Sequence, residues 1–123
     1  MENHVPGSLG KLVNLSDLLN TRRAFGAVFA RKILIKELGR HIIYLVWRGG
    51  ELLYIGSTNY SARDRLKQHL YSNASELGAA MRSGKPWSGE WIIEVVGCPD
   101  TDRNGLQKYE HKLIKELEPS ING

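Results

Sequence analysis

His41-Ile42-Ile43-Tyr44-Leu45-Val46-Trp47, then Arg48-Gly49-Gly50-Glu51, then Leu52-Leu53-Tyr54-Ile55-Gly56: two runs of β-branched and aromatic residues meet across a Gly-Gly pair. Glycine tolerates the positive φ that a tight hairpin turn demands, so the stretch predicts two antiparallel strands joined by a short turn. Outward from this hairpin, residues 61–71 predict a helix, with Asn59 or Ser61 placed to cap it and Ala62, Leu66 and Leu70 as its inward face. Residues 75–82 predict a second, shorter helix stopped by Gly84 and Pro86, and residues 91–96 read as a strand ended by Gly97 and Pro99. A turn-rich connection leads to a last helix over about residues 106–117, closed by Pro119.

Upstream of the hairpin, apolar residues from Leu15 to Leu34 recur mostly at intervals of three and four, with Ser16 or Asp17 able to cap the start and Gly39 to stop it. Residues 14–38 are therefore expected to be helical, as one helix or two broken near Ala24–Ala27, and the first dozen residues to form a loose tail. The expected order is helical leader, β, β, α, α, β, α. It implies an α/β (α+β) domain with a small, three-stranded, mainly antiparallel sheet flanked by helices over residues 41–123. Residues 1–40 form the leader. Exposing Phe25, Val28, Phe29 and Ile33 would leave a large apolar patch, so the leader is expected either to dock on the core or to make a homodimer.

The 123 residues, 41% hydrophobic, suffice for one domain with one core. No apolar run approaches the ~18 residues of a membrane span, and no secretory signal is visible, which reads as a cytoplasmic or other intracellular protein. A single cysteine, Cys98, excludes an internal disulfide, and the four scattered histidines have no structural-zinc spacing. The net charge of +4 is unevenly spread: residues 1–70 carry eleven Lys or Arg against five acids, the remainder six against eight. A polyanionic partner and an ordinary solvated surface both account for that imbalance.

Five positions carry chemistry on pattern alone. At about 100° per residue, Glu110 on the last helix falls among Leu106, Ile114 and Leu117 and should face the core. A carboxylate there needs compensation, by a metal cation or by an internal ion pair with arginine or lysine. Arg65 and His69, four apart on the first core helix, project to one side beside Leu66. The guanidinium could fork onto phosphate oxygens and the imidazole could hold a water, or the pair could be solvated surface. Tyr44 and Tyr54 sit centrally on successive strands, close enough to share one site or simply to pack.

Taken together, Ile42-Ile43-Tyr44, Tyr54-Ile55-Gly56-Ser57, Arg65-Leu66-x-x-His69, Glu110-x-x-Leu113-Ile114 and Pro119-x-x-Asn122 resemble the ordered signature of GIY-YIG nucleases, over residues 42–122. Two departures stand out. Ile42 occupies the family's first glycine, and the interval from Tyr54 to Arg65 is one residue long, which leaves Arg63 as a competitor for the arginine role. Arg65 is preferred for the Leu66 and His69 that follow it.

The resemblance implies a metal-dependent endonuclease acting on DNA. Tyr44 and Tyr54 would flank the scissile phosphate and Arg65 would bind it. Glu110 would hold Mg²⁺ or Mn²⁺, Asn122 would support the site, and Tyr44 or His69 would take the proton from water. Ser57, Asn59, Arg63, Arg65 and Lys67 are the expected nucleic-acid contacts. A non-catalytic nucleic-acid-binding module with the same fold is the competing expectation, and single-stranded and duplex substrates are both open.

Overall fold

The computed structural model describes residues 5–20, 41–59 and 61–123. Phe25, Val28, Phe29 and Ile33, and with them the expected homodimer surface, lie outside the described residues. No helix among those described is long and apolar enough to cross a membrane.

The hairpin forms as its sequence dictates. Strand β2 (Ile42–Arg48) pairs antiparallel with β3 (Glu51–Thr58), and Gly49 and Gly50 turn the chain at φ of 57° and 83°. In front of them lie β1 (Lys11–Asn14) and the short helix α1 (Leu15–Asn20); after them come α2 (Ala62–Tyr71), α3 (Glu76–Ser83), β4 (Trp91–Gly97) and α4 (Arg103–Leu117). The sheet has four antiparallel strands in the order β1-β4-β2-β3. The fourth corrects the expectation of three strands and of a loose first dozen residues.

Residues 11–14 escape sequence reading because a four-residue strand with only Val13 buried shows no alternation long enough to detect. Its partner fixes it: Lys11 to Asn14 lie opposite Val95 to Ile92. The expected helix over residues 14–38 is represented among the described residues by α1 alone.

Helix α1 belongs to the core. Leu15, Leu18 and Leu19 pack with α2, α3 and one face of the sheet, where Ile42, Tyr44, Val46, Ile93 and Val95 point. The other sheet face, with Ile43, Leu45, Trp47, Ile55 and Val96, is covered by Leu106 and Leu113 of α4. Strand β2 is buried on both faces, as befits a central strand between two helical layers.

The helix starts and stops follow their chemistry. Ser61, Ser75 and Asp102 cap α2, α3 and α4 through side-chain oxygens that accept backbone N–H groups of the first turn. Helix α4 ends at Leu117, with Glu118 in the left-handed conformation and Pro119 after it. The chain then runs along the outer edge of β3: Ser120 and Ile121 donate their N–H groups to the carbonyls of Leu52 and Leu53 at 3.0 and 2.8 Å. Asn122 continues this pairing with its side chain, its amide donating to Ile55 O at 2.7 Å and its amide oxygen accepting Ile55 N–H at 3.2 Å.

Candidate active site

An irregularity in the hairpin brings the two tyrosines to one face. Leu45 lies opposite Ile55 and Val46 opposite Tyr54, but Trp47 lies opposite Leu52, so Leu53 is an extra residue in β3. The bulge puts Tyr54 on the same face as Val46 and Tyr44. Their rings stack with centroids 6.2 Å apart and an interplanar angle of 24°. Gly56, opposite Tyr44, is required by this arrangement, because a Cβ there would lie 2.4 Å from the Tyr44 ring and hydroxyl.

Helix α2 supplies the next two groups. Ala62, Leu66, His69 and Leu70 form its buried stripe, which carries the imidazole into the layer between helix and sheet. The His69 ring meets Tyr54 edge-on, with centroids 5.2 Å apart, and its Nε2 lies 3.3 Å from the Tyr44 hydroxyl. Arg65, one turn earlier and exposed, acts on that hydroxyl through its positive charge and donates to Gln68 Oε1 at 2.9 Å. Arg63 and Lys67 share a side with each other and point about 200° of helix rotation away from Arg65. Arg63 Nη1 pairs instead with Asp64 at 3.3 Å. Of the two arginines, Arg65 is the one whose charge acts on both tyrosines.

Glu110 does not enter the core. The buried line of α4 runs through Leu106 and Leu113, and Glu110 lies roughly 40° and 60° to one side of them. Its carboxylate is partly buried at the rim of the sheet, where it accepts a hydrogen bond from the Ser57 hydroxyl. Ser57, expected as a direct nucleic-acid contact, therefore orients Glu110. Among the described residues the fully buried carboxylate is Glu94 in β4, which takes hydrogen bonds from Trp47 Nε1 at 3.0 Å and from the N–H groups of Leu9 and Gly10 at 2.8 and 3.0 Å.

These neighbours set the protonation states. Burial raises the Tyr44 hydroxyl well above its ordinary value; Tyr54 and Glu110 add to the rise and Arg65 opposes it. Tyr54 is raised too, by burial and Glu110 against Arg65. His69 is pulled down to about 4, first by burial and then by Arg65, so the imidazole is neutral at pH 7. A neutral imidazole accepts the phenolic proton when its own hydrogen is on Nδ1.

Two depressions meet at Arg65 and Gln68. One, of about 620 Å³, is lined by Ser57, Thr58, Asn59 and Asp64 and by Arg103 and Gln107 from the start of α4. The other, of about 360 Å³, is lined by Tyr54, His69, Ser75, Ile121 and Asn122. Gln68, Arg103, Gln107 and Ser75 carry no sequence signal of this placement beyond the i, i+3 spacing of Arg65 and Gln68 and the capping position of Ser75.

The model of the GIY-YIG catalytic domain matches residues 40–122. The chain belongs to the GIY-YIG family. No curated protein and no solved structure gives a match. The GIY-YIG match spans all of the hairpin, α2, α3, β4, α4 and the Asn122 segment, and leaves β1 and α1 in front of it. Where the family motif opens with glycine, this member has Ile42, fully buried in the layer beneath α2.

The donor set fits a hard divalent cation of a particular kind. Among the described residues no three His, Cys, Asp or Glu side chains cluster, so no protein cage exists. One partly exposed carboxylate beside an open depression suits Mg²⁺ or Mn²⁺ that keeps several waters and takes further oxygens from a phosphate.

Proposed function

We propose that the protein is a metal-dependent endonuclease that hydrolyses phosphodiester bonds in DNA. One observation carries this reading: Tyr44, Tyr54, Arg65 and His69 converge on one patch, with Glu110 near enough to act electrostatically on both tyrosines. A module that only bound nucleic acid would gain nothing from a carboxylate near the tyrosines that meet the phosphate, since like charges repel.

The two depressions support a strand that passes over Arg65, with its phosphates to either side. Arg65 forks onto the non-bridging oxygens of the scissile phosphate and the Tyr54 hydroxyl donates to the same group, each donor contributing ~3 to 4 kcal/mol in the transition state. Tyr44 takes a proton from the attacking water while its own proton passes to His69 Nε2. The water oxygen bonds to phosphorus, and the bond from phosphorus to the 3′ oxygen breaks. A tyrosine base has to lose its own proton, and His69, held at about 4, takes it only as negative charge builds on the phosphate beside it. Glu110, oriented by Ser57, would hold Mg²⁺ or Mn²⁺, which supplies positive charge for the leaving oxygen.

The test is incubation of wild type and Glu110→Gln with labelled single-stranded, duplex and branched DNA, in Mg²⁺, Mn²⁺ or EDTA. Cleavage that requires both Glu110 and metal is the expected result. DNA that the wild type binds but leaves intact in every condition would replace the nuclease with the binding module.

A further inference from the structure

The Tyr44 hydroxyl, on a side chain only 1% exposed, has one proton to give and lone pairs to receive. Arg65, whose positive charge acts on this oxygen, has donors only and cannot take the phenolic proton. The acceptor within reach is His69 Nε2, at 3.3 Å. It accepts only when it carries no hydrogen, and a neutral imidazole then holds its hydrogen on Nδ1. That nitrogen lies 2.7 Å from Ser75 Oγ. The same oxygen caps α3, accepting Gly78 N–H at 2.9 Å.

We propose that Ser75 is a positioning residue for His69: its hydroxyl oxygen accepts Nδ1–H and fixes the tautomer that leaves Nε2 open toward Tyr44. The opposite tautomer would aim Nε2–H at the Tyr44 oxygen and leave the phenolic proton without an acceptor among the described residues. Helix α3 is held for this task. A Cβ on Gly78 would fall 1.9 Å from the His69 carbonyl oxygen, so the first turn of α3 lies directly on the backbone that carries the imidazole. Arg82 ties the far end of α3 back, donating to the carbonyls of Leu70 and Ser72 at 2.7 and 3.1 Å. The cap of one helix thereby sets the chemistry of the next.

The catalytic consequence rests on the nuclease reading, whereas the tautomer itself does not. The experiment is nitrogen-15 correlation spectroscopy of the imidazole in the full chain at pH 7, on wild type, Ser75→Gly and Ser75→Thr, with DNA cleavage measured beside it. Glycine removes the hydroxyl at a capping cost of only a few tenths of a kcal/mol, so the fold is retained. Wild type and Ser75→Thr are expected to carry the His69 hydrogen on Nδ1. Ser75→Gly is expected to move it toward Nε2 and to slow cleavage by ~10- to 100-fold. A wild-type hydrogen on Nε2, or a tautomer unchanged in Ser75→Gly, overturns the proposal, even if cleavage falls. A wild type that cuts no DNA but shows the expected tautomers overturns the nuclease reading and leaves the positioning role standing.

Discussion

Two carboxylates at opposite parts of the sheet are treated in opposite ways. Glu94 is 0% exposed, and its oxygens take hydrogen bonds from an indole and two backbone amides. Glu110 stands at the rim, with a single hydroxyl, Ser57, on one oxygen, and tyrosines and an arginine nearby. A carboxylate saturated by fixed donors can only hold the fold together, whereas a partly exposed one with spare lone pairs can take a ligand. Burial alone does not mark a functional acid; spare coordination capacity does.

The sharpest way to break this contrast is to remove each acid in turn. Glu94→Ala leaves the Trp47, Leu9 and Gly10 donors facing a void, and a loss of ~3 to 5 kcal/mol in urea denaturation is expected. Were Glu110→Gln to cost as much, the distinction between the two would collapse. Glu110→Gln is expected instead to keep stability within about 1 kcal/mol and to lower cleavage at least ~100-fold, and Arg65→Ala to lower it by ~10²- to 10³-fold.

Smaller effects sharpen the same division. Gly56→Ala forces a methyl against Tyr44 and should cost ~1 to 3 kcal/mol in thermal or chemical unfolding while it displaces the hydroxyl from His69. Asn122→Ala deprives Ile55 of two hydrogen bonds on the edge that carries Tyr54, with an expected loss of ~2 kcal/mol. The smallest effect is in pH. With the folded His69 held at about 4, the unfolded chain gains a proton first as the solution is acidified through the ordinary value of 6.5. Stability should therefore fall as pH drops, by less than ~1 kcal/mol between pH 7 and 6, and His69→Gln should lose that part of the slope.

Much of this was legible in the sequence where the signals are local. The Gly-Gly hairpin, the serine-capped helices and the spacing from Arg65 to His69 each lie within one element, and the structure follows them. What sequence reading misplaces is decided by partners far along the chain. Strand β1 exists because β4 lies beside it, and the short pattern of residues 11–14 has no period of its own. Glu94 reads as an ordinary polar position in an apolar strand, since nothing near it in sequence announces Leu9, Gly10 or Trp47. Glu110 reads as core-facing because helical angles locate a direction but not the edge at which the sheet ends. Ser75 is visible only as a helix start, and its second partner belongs to another helix.

The pairing of β1 with β4 also sets a clock. Leu9 and Glu94 are 85 positions apart, and Asn122 reaches back 67 positions to Ile55. Contacts that distant form late, because the entropy of closing each long loop is spent before any bond is returned. The hairpin can zip early, but the edge bearing Tyr54 is not fastened until residues 120–122 arrive, nor is the far side of the sheet until β1 does. During refolding, the ability to cut should lag behind the appearance of helical and β signal, and the reactive surface is the last part of the molecule to come into being.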